Sequence, residues 1–313
     1  MVSPNSNEKL RPRSSGSIQR LSLGDTLRLS ISHFGAGLKD AFAFPASLLV
    51  VYGSKTIQTA FFKCVVLNGI LFLGSMVLFN ALLDPATDIL ANFMKRQDGT
   101  LPESIRNGMT IVYHVFWLYP LYLTSLMVNS IWYQQISNRA YRMITGKAPI
   151  TQQDRMTKNV ATNIYRGLIY IFYLSFATII FSAPIVGPLV SFLLFCWFCA
   201  FYSFEFRWVN QGWNIDQCMD YFEEHWAYMA GFGFPPTLVS FFFSQLVNAG
   251  IFALVFPLYV IMATRATALP RHSQQIRNSI WIPHRLSIFY LSKKSTRITI
   301  QTVKYMLGSR PAS

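Results

Sequence analysis

Four stretches of this 313-residue chain contain no Asp, Glu, Lys or Arg: residues 64–83, 107–138, 167–204 and 226–264, of 20, 32, 38 and 39 residues. A soluble domain of this size would not exclude charge over such lengths. A helix crossing the hydrocarbon of a bilayer needs about 20 apolar residues at about 1.5 Å rise each. The first two windows therefore fit one helix apiece, and the last two fit pairs of shorter helices joined by a turn. Composition agrees, with 52% hydrophobic and only 13% charged residues, about half the charged fraction of an ordinary soluble protein.

The expected fold is an all-α polytopic membrane protein. It has two full transmembrane helices, two helical hairpins (re-entrant or shallow) and amphipathic flanking helices. Residues 1–20 read as a polar, basic, disordered tail rather than a signal peptide, so the first membrane helix is expected to direct insertion. Residues 21–60 form an amphipathic or interfacial segment. Its helical part, residues 21–44, either lays its apolar side in the headgroup region or packs on the membrane domain as an ordinary surface helix. "AFAFPASLLVVYG" (residues 41–53) is broken by Pro45 and is too short to span. Residues 61–266 are the membrane domain and 267–313 a basic C-terminal tail.

Within the membrane domain, the first spanning helix is expected over residues 62–83, stopped by Asp84-Pro85. The second is expected over 109–132. "SAPIVGP" (residues 182–188) places a turn inside the third window, leaving arms of about 15 and 16 residues on either side; either both arms cross with a tight luminal turn, or the hairpin dips in and returns. In the fourth window, "GFGFPP" (residues 231–236) is expected to block a helix, and Asn248-Ala249-Gly250 to be the bend of the second hairpin.

The orientation follows from the cations. Residues 139–166 carry six Lys/Arg against one acid, residues 264–313 nine against none, and residues 1–40 six against three. Basic flanks stay in the cytoplasm, so both termini are expected there, with residues 84–106 on the far side. That parity brings the chain back after the first hairpin, and for the fourth window it favours a second hairpin over a single crossing that would leave the basic C-terminus outside. It places Glu205 and Arg207, in "FYSFEFRW", where the first hairpin leaves the hydrocarbon. Residues two apart do not face each other on a helix, so each is expected to find its own partner. Arg207 has headgroup phosphates or neighbouring rings in reach, and Glu205 a basic residue or backbone donors of the second hairpin. One reading is an ordinary helix exit. The other is a buried charge site that locks the hairpins or lines an ion path.

Little else carries chemistry. Cys196-x-x-Cys199 has redox or zinc spacing, but it lies in an apolar run with no second ligand pair and is expected to pack as buried thiols. The five histidines are scattered, and "EEHW" (residues 223–226) lacks the spacing of a metal helix and reads as a surface helix. No catalytic residue, cofactor or metal ligand set is read, and no enzyme activity is expected. Asn68, Asn80, Asn129, Asn248, Gln245 and His114 are expected to hydrogen-bond between helices rather than line a conduction path. The basic tails are expected to meet anionic lipid headgroups on the cytoplasmic leaflet, with no nucleic acid partner. Covering the hairpin turns calls for close packing or homo-oligomerisation.

"FYSFEFRWVNQGW" (residues 201–213) followed by "HWAYMAGFGFPP" (225–236) resembles the signature of the etoposide-induced protein 2.4 family, as do "VLNGILFLGSMVLF" (66–79), "YPLYLTSLMVNSIWYQQISNRAY" (119–141) and "LVFPLYVIMATRA" (254–266). The residues carrying the resemblance are Phe204, Glu205, Arg207, Trp208, Gly231, Gly233 and Pro235. It implies a multi-pass protein of the endoplasmic reticulum linked to autophagy, mitochondrial contact and growth suppression. It also implies kinship with CysZ-type sulfate permeases, which have two spanning helices and two half-penetrating hairpins. Those permeases carry a Gly-Leu/Ile-Arg anion-binding triplet before the first spanning helix. Here that place reads Thr56-Ile57-Gln58.

Overall fold

A computed structural model describes residues 22–93, 103–150, 160–266, 285–306 and 308. The expected N-terminal tail lies outside these residues. The described chain is all helical: α1 Leu23–Ala41, α2 Phe44–Tyr52, α3 Lys55–Cys64, α4 Ser75–Phe93, α5 Glu103–Tyr113, α6 Tyr119–Thr145, α7 Val160–Phe181, α8 Val186–Asn210, α9 Ile215–Glu224, α10 Trp226–Ser240, α11 Gln245–Arg265 and α12 Tyr290–Met306. Two π-helical stretches, Val65–Gly74 and His114–Leu118, join α3 to α4 and α5 to α6 without a break. Among the described residues, six helical stretches are long and apolar enough to cross a membrane. Large apolar side chains such as Leu49, Ile70, Phe116, Met127 and Ile179 face outward, as a lipid-exposed surface requires.

Several expectations need correction. Asp84-Pro85 does not end the first spanning helix, because α4 runs through Pro85 to Phe93. The second runs on past Trp132 to Thr145, where Gly146, at φ 67°, ends it in the left-handed region and donates its N–H to the Arg142 carbonyl. The first hairpin bends within "SAPIVGP" as expected, but its arms are 22 and 25 residues long rather than 15 and 16. They outrun the charge-free window because Arg166, Glu205 and Arg207 lie inside the helices and have partners there. Each arm has the length to cross. At the bend, the Val186 N–H donates to the Pro184 carbonyl, 2.7 Å away, across Ile185. Ile185 is held at φ 64°, an unfavourable backbone for a β-branched residue.

The second hairpin bends earlier than expected. "GFGFPP" does not block a helix, since α10 continues through Pro235 and Pro236 to Ser240. The turn falls at residues 241–244, and Asn248-Ala249-Gly250 lies inside α11. Gly250 marks a close approach instead: a Cβ there would sit 2.5 Å from Leu73 Cδ2 in the first π-helical stretch. The prolines persist because α10 is buried among neighbouring helices, which supply the packing that offsets lost backbone bonds.

The N-terminal segment belongs to the bundle. Ser22 caps α1, its hydroxyl accepting the Asp25 N–H at 3.1 Å. The face α1 turns inward is small and polar (Thr26, Ser30, His33, Gly37, Ala41), while Leu23, Leu27 and Ile31 point outward. So the helix packs on the membrane domain and still presents apolar side chains to its surroundings. With α2, the stretch Leu23–Tyr52 is 30 residues long and apolar enough to cross, whereas α2 alone has nine residues. Residues 41–53 alone are thus too short, as expected; only together with α1, across the break at Phe42-Ala43, does the stretch reach crossing length.

The largest core gathers α7, α8, α9, α10 and α11 around Phe201, Phe222, Phe232, Met219 and Met229. α10 lies between α1 and α8. A Cβ on Gly231 would fall 2.0 Å from the Phe34 carbonyl oxygen of α1, and one on Gly233 1.8 Å from the Cys196 carbonyl oxygen of α8. Two residues apart on a helix, these glycines open opposite sides of α10. Gly37 answers from α1, where a Cβ would fall 2.0 Å from the Tyr228 oxygen.

Candidate functional site

The acid and base of "FYSFEFRW" lie near the C-terminal end of α8, on opposite sides of the helix. Glu205 is buried. Its carboxylate lies 2.7 Å from Arg166 Nε and accepts a hydrogen bond from the Tyr170 hydroxyl. Both partners stand on α7, one turn apart. Arg207 turns toward the second hairpin, its Nη1 donating to the carbonyls of Ala263 at 3.1 Å and Ala266 at 2.8 Å. Those carbonyls end α11, where helical partners run out and the dipole is negative. The charges thus find separate partners, as expected. The assignment is the reverse of part of that expectation: Glu205 closes the first hairpin on itself, and Arg207 ties it to the second.

The aromatic signature residues fill the space between. Phe204 packs edge-on against Phe232 of α10, with centroids 4.8 Å apart. Trp208 stacks on Trp213 at 6.0 Å and 2°, and Tyr221 of α9 meets both indoles edge-on. Gly231 and Gly233 are spacers and Pro235 is a buried helical residue. These residues share one neighbourhood, whose geometry is a tie between helices.

Sequence reasoning missed three partners. Asn210, at the end of α8, donates to Ser137 Oγ at 2.9 Å and accepts the Ile150 N–H on its carbonyl at 3.1 Å, fixing α6. Asp40 accepts the Tyr228 hydroxyl at 2.6 Å, fixing α1 to α10. Glu223 is buried rather than on a surface helix. It accepts the Phe289 N–H at 3.0 Å and Arg285 Nε at 2.7 Å, and Arg285 also reaches Asp220 at 2.5 Å. Arg285 was visible only as one more cation of the tail. Residues 285–306 are accordingly docked on the bundle, with Phe289 wholly buried against Tyr173, Phe201 and Phe222.

Of the polar residues in the apolar windows, Asn68 and Asn129 pair reciprocally, amide to amide, at 3.0 and 2.8 Å. Asn68, in the π-helical stretch, also donates to the Cys64 carbonyl at 2.9 Å. His114 Nδ1 lies 2.8 Å from the Thr110 carbonyl of its own helix. Cys196 and Cys199 are free and buried. Among the described residues no group of three or more His, Cys, Asp or Glu could hold a metal ion.

A cleft of about 350 Å³ opens beside the Arg166–Glu205 pair, between α6 and α7. Besides that pair and Tyr170, its polar lining includes Ser130, Gln134, Gln135 and Asn138 of α6 and Tyr202 of α8. An ion pair flanked by amides can hold a polar ligand by hydrogen bonds, but it offers no nucleophile with an adjacent base.

Residues 43–257 match the family described as "Sulfate transporter CysZ/Etoposide-induced protein 2.4". The chain belongs to this family. A relative named "Protein EI24 homolog" from Dictyostelium discoideum is 28% identical over 86% of this chain and 84% of its own length. A second of that name, from Arabidopsis thaliana, is 26% identical over 73% and 81%. "Ectopic P granules protein 4" of Caenorhabditis elegans is 26% identical over half of each chain. No solved structure matches. With six stretches able to cross, this family member is a multi-pass membrane protein. At the place of the permeases' anion triplet, Ile57 is buried and the Gln58 amide donates to the Tyr52 carbonyl at 2.7 Å. Both side chains are already engaged within the corner between α2 and α3.

Proposed function

We propose that this EI24-family chain is a multi-pass protein of the endoplasmic reticulum that acts in autophagy-related membrane organisation or contact, without catalysing a reaction. The observation that carries the reading is the use made of its intramembrane charge. Glu205, Arg166 and Arg207 are engaged in joining α7, α8 and α11, a scaffold's use of polar groups rather than a conduit's. The family assignment supports the location and the process. Both termini are read as cytoplasmic from the distribution of basic residues, and the cations of the C-terminal region favour contact with anionic headgroups.

The alternative is an anion permease of the CysZ type, which the family description also names. It is less favoured because Thr56-Ile57-Gln58 lacks the arginine and the free glycine backbone of the permease triplet. One experiment separates the two. Null cells are rescued with the wild-type chain while autophagic flux and co-localisation with a reticulum marker are followed, and the purified protein is assayed for sulfate uptake into liposomes. Restored flux without sulfate uptake is the expected result. Sulfate uptake with no rescue of flux would replace this reading with the permease.

A further inference from the structure

A second cleft of about 350 Å³ lies further along the same helices. Arg166 and Tyr170 line the first cleft, and Leu174 and Thr178 the second. These four residues recur every fourth position, so they form one stripe on α7. The two clefts therefore lie end to end, and twelve residues of α7 separate their extremes by about 18 Å. α8 supplies the matching floor, with Tyr202 under the first cleft and Phe198 under the second, their rings stacked at 6.1 Å and 10°. Both clefts also touch α6.

The two ends differ in chemistry. One has the Arg166–Glu205 pair and the amides of Gln134, Gln135 and Asn138. The other has no charged residue in its lining: Leu174, Phe195, Phe198, Phe241 and Phe252 wall it, and its polar groups are the neutral ones of Tyr122, Thr178, Thr237, Ser240 and Asn248. A groove that carries charge at one end only and aromatic walls along the rest suits an amphiphile. The charge at the polar end is balanced, since the Arg166 cation already faces the Glu205 anion. An anionic headgroup would meet that carboxylate, whereas a headgroup carrying both signs can present its phosphate to Arg166 and the amides and its cation to Glu205 and the tyrosine rings.

We propose that the groove holds one zwitterionic glycerophospholipid, its headgroup at Arg166, Glu205 and Asn138 and an acyl chain running past Leu174 to Phe252. The full-length protein in nanodiscs would be photolabelled with phosphatidylcholine bearing a diazirine on the acyl chain, and the labelled peptides mapped. Labelling is expected on α7, α8 and α11 around Leu174, Phe198 and Phe252, and unlabelled phosphatidylcholine should compete for it better than phosphatidylserine. Thr178→Trp fills the apolar end from an exposed position. It should lower groove labelling several-fold while leaving the outward-facing Ile111 and Phe116 unchanged. Should that variant lose its monodisperse profile, Asn138→Leu at the polar end reads the same site through the phosphatidylcholine preference. Uniform labelling of groove and outer faces, stronger competition by phosphatidylserine, or labelling indifferent to both substitutions would each overturn the proposal.

Discussion

Replacing Gly233 by alanine adds one methyl group at the tightest point of the bundle. That Cβ would stand 1.8 Å from the carbonyl oxygen of Cys196 and 2.6 Å from its carbonyl carbon, where ordinary contact begins near 3.4 Å. The obstacle is backbone within a helix, so no side chain can swing aside. α8 and α10 must part by about 1.6 Å along that contact, or the methyl must compress. Overpacking typically costs about 1–3 kcal/mol, and a rigid neighbour places this change at about 3. Gly35 on α1 provides the control, because a Cβ there meets nothing within 4 Å. The same substitution at Gly35 should gain up to about 1 kcal/mol of helix propensity. Thermal unfolding in detergent, followed by size-exclusion fluorescence, should therefore drop by roughly 6–12 °C for Gly233→Ala and hold or rise for Gly35→Ala. Gly231→Ala and Gly37→Ala should follow Gly233→Ala. A Gly233→Ala protein that melts with the wild type, or a Gly35→Ala protein that falls equally, would refute the idea that α10 is spaced by its glycines.

Glu205→Gln should destabilise by about 3 kcal/mol, the lower end for a broken buried pair because Arg166 is 26% exposed; the double variant with Arg166→Met should recover part of the loss in the same melting assay. Asn68→Leu and Asn129→Leu each strand one amide, so their double-mutant cycle should show a coupling of about 0.6–1.7 kcal/mol, and a coupling of zero would mean that the pair does not form. Ile185→Gly, at an exposed site with positive φ, should relieve backbone strain of about 1 kcal/mol and raise the melting temperature; a fall would show that the bend has another geometry.

Features with a local signature were legible in the sequence. The exclusion of charge announced helices in a membrane, and two prolines with a glycine within seven residues announced the bend after α7. The separation of Glu205 from Arg207 followed from helical spacing alone. What escaped was whatever depended on a distant neighbour. Pro235 and Pro236 read as helix breakers because the packing around α10 is invisible from within its own sequence. Gly250 read as a bend when it is a contact point for Leu73. Glu223 read as a surface acid because its partners, Arg285 and the Phe289 amide, lie more than sixty residues on. Arg166 stood in a loop rich in basic residues, with nothing to distinguish it from the rest.

The docking of α12 has a practical corollary. Phe289 acts as a stopper in a socket made by two aromatics of the first hairpin and one of α9, and Glu223 is the catch that keeps it seated. A shortened chain ending before Arg285 would uncork that socket and leave an acid facing a hollow. Fusions or deletions designed for this protein are therefore safer placed beyond Met306 than at the start of the basic region.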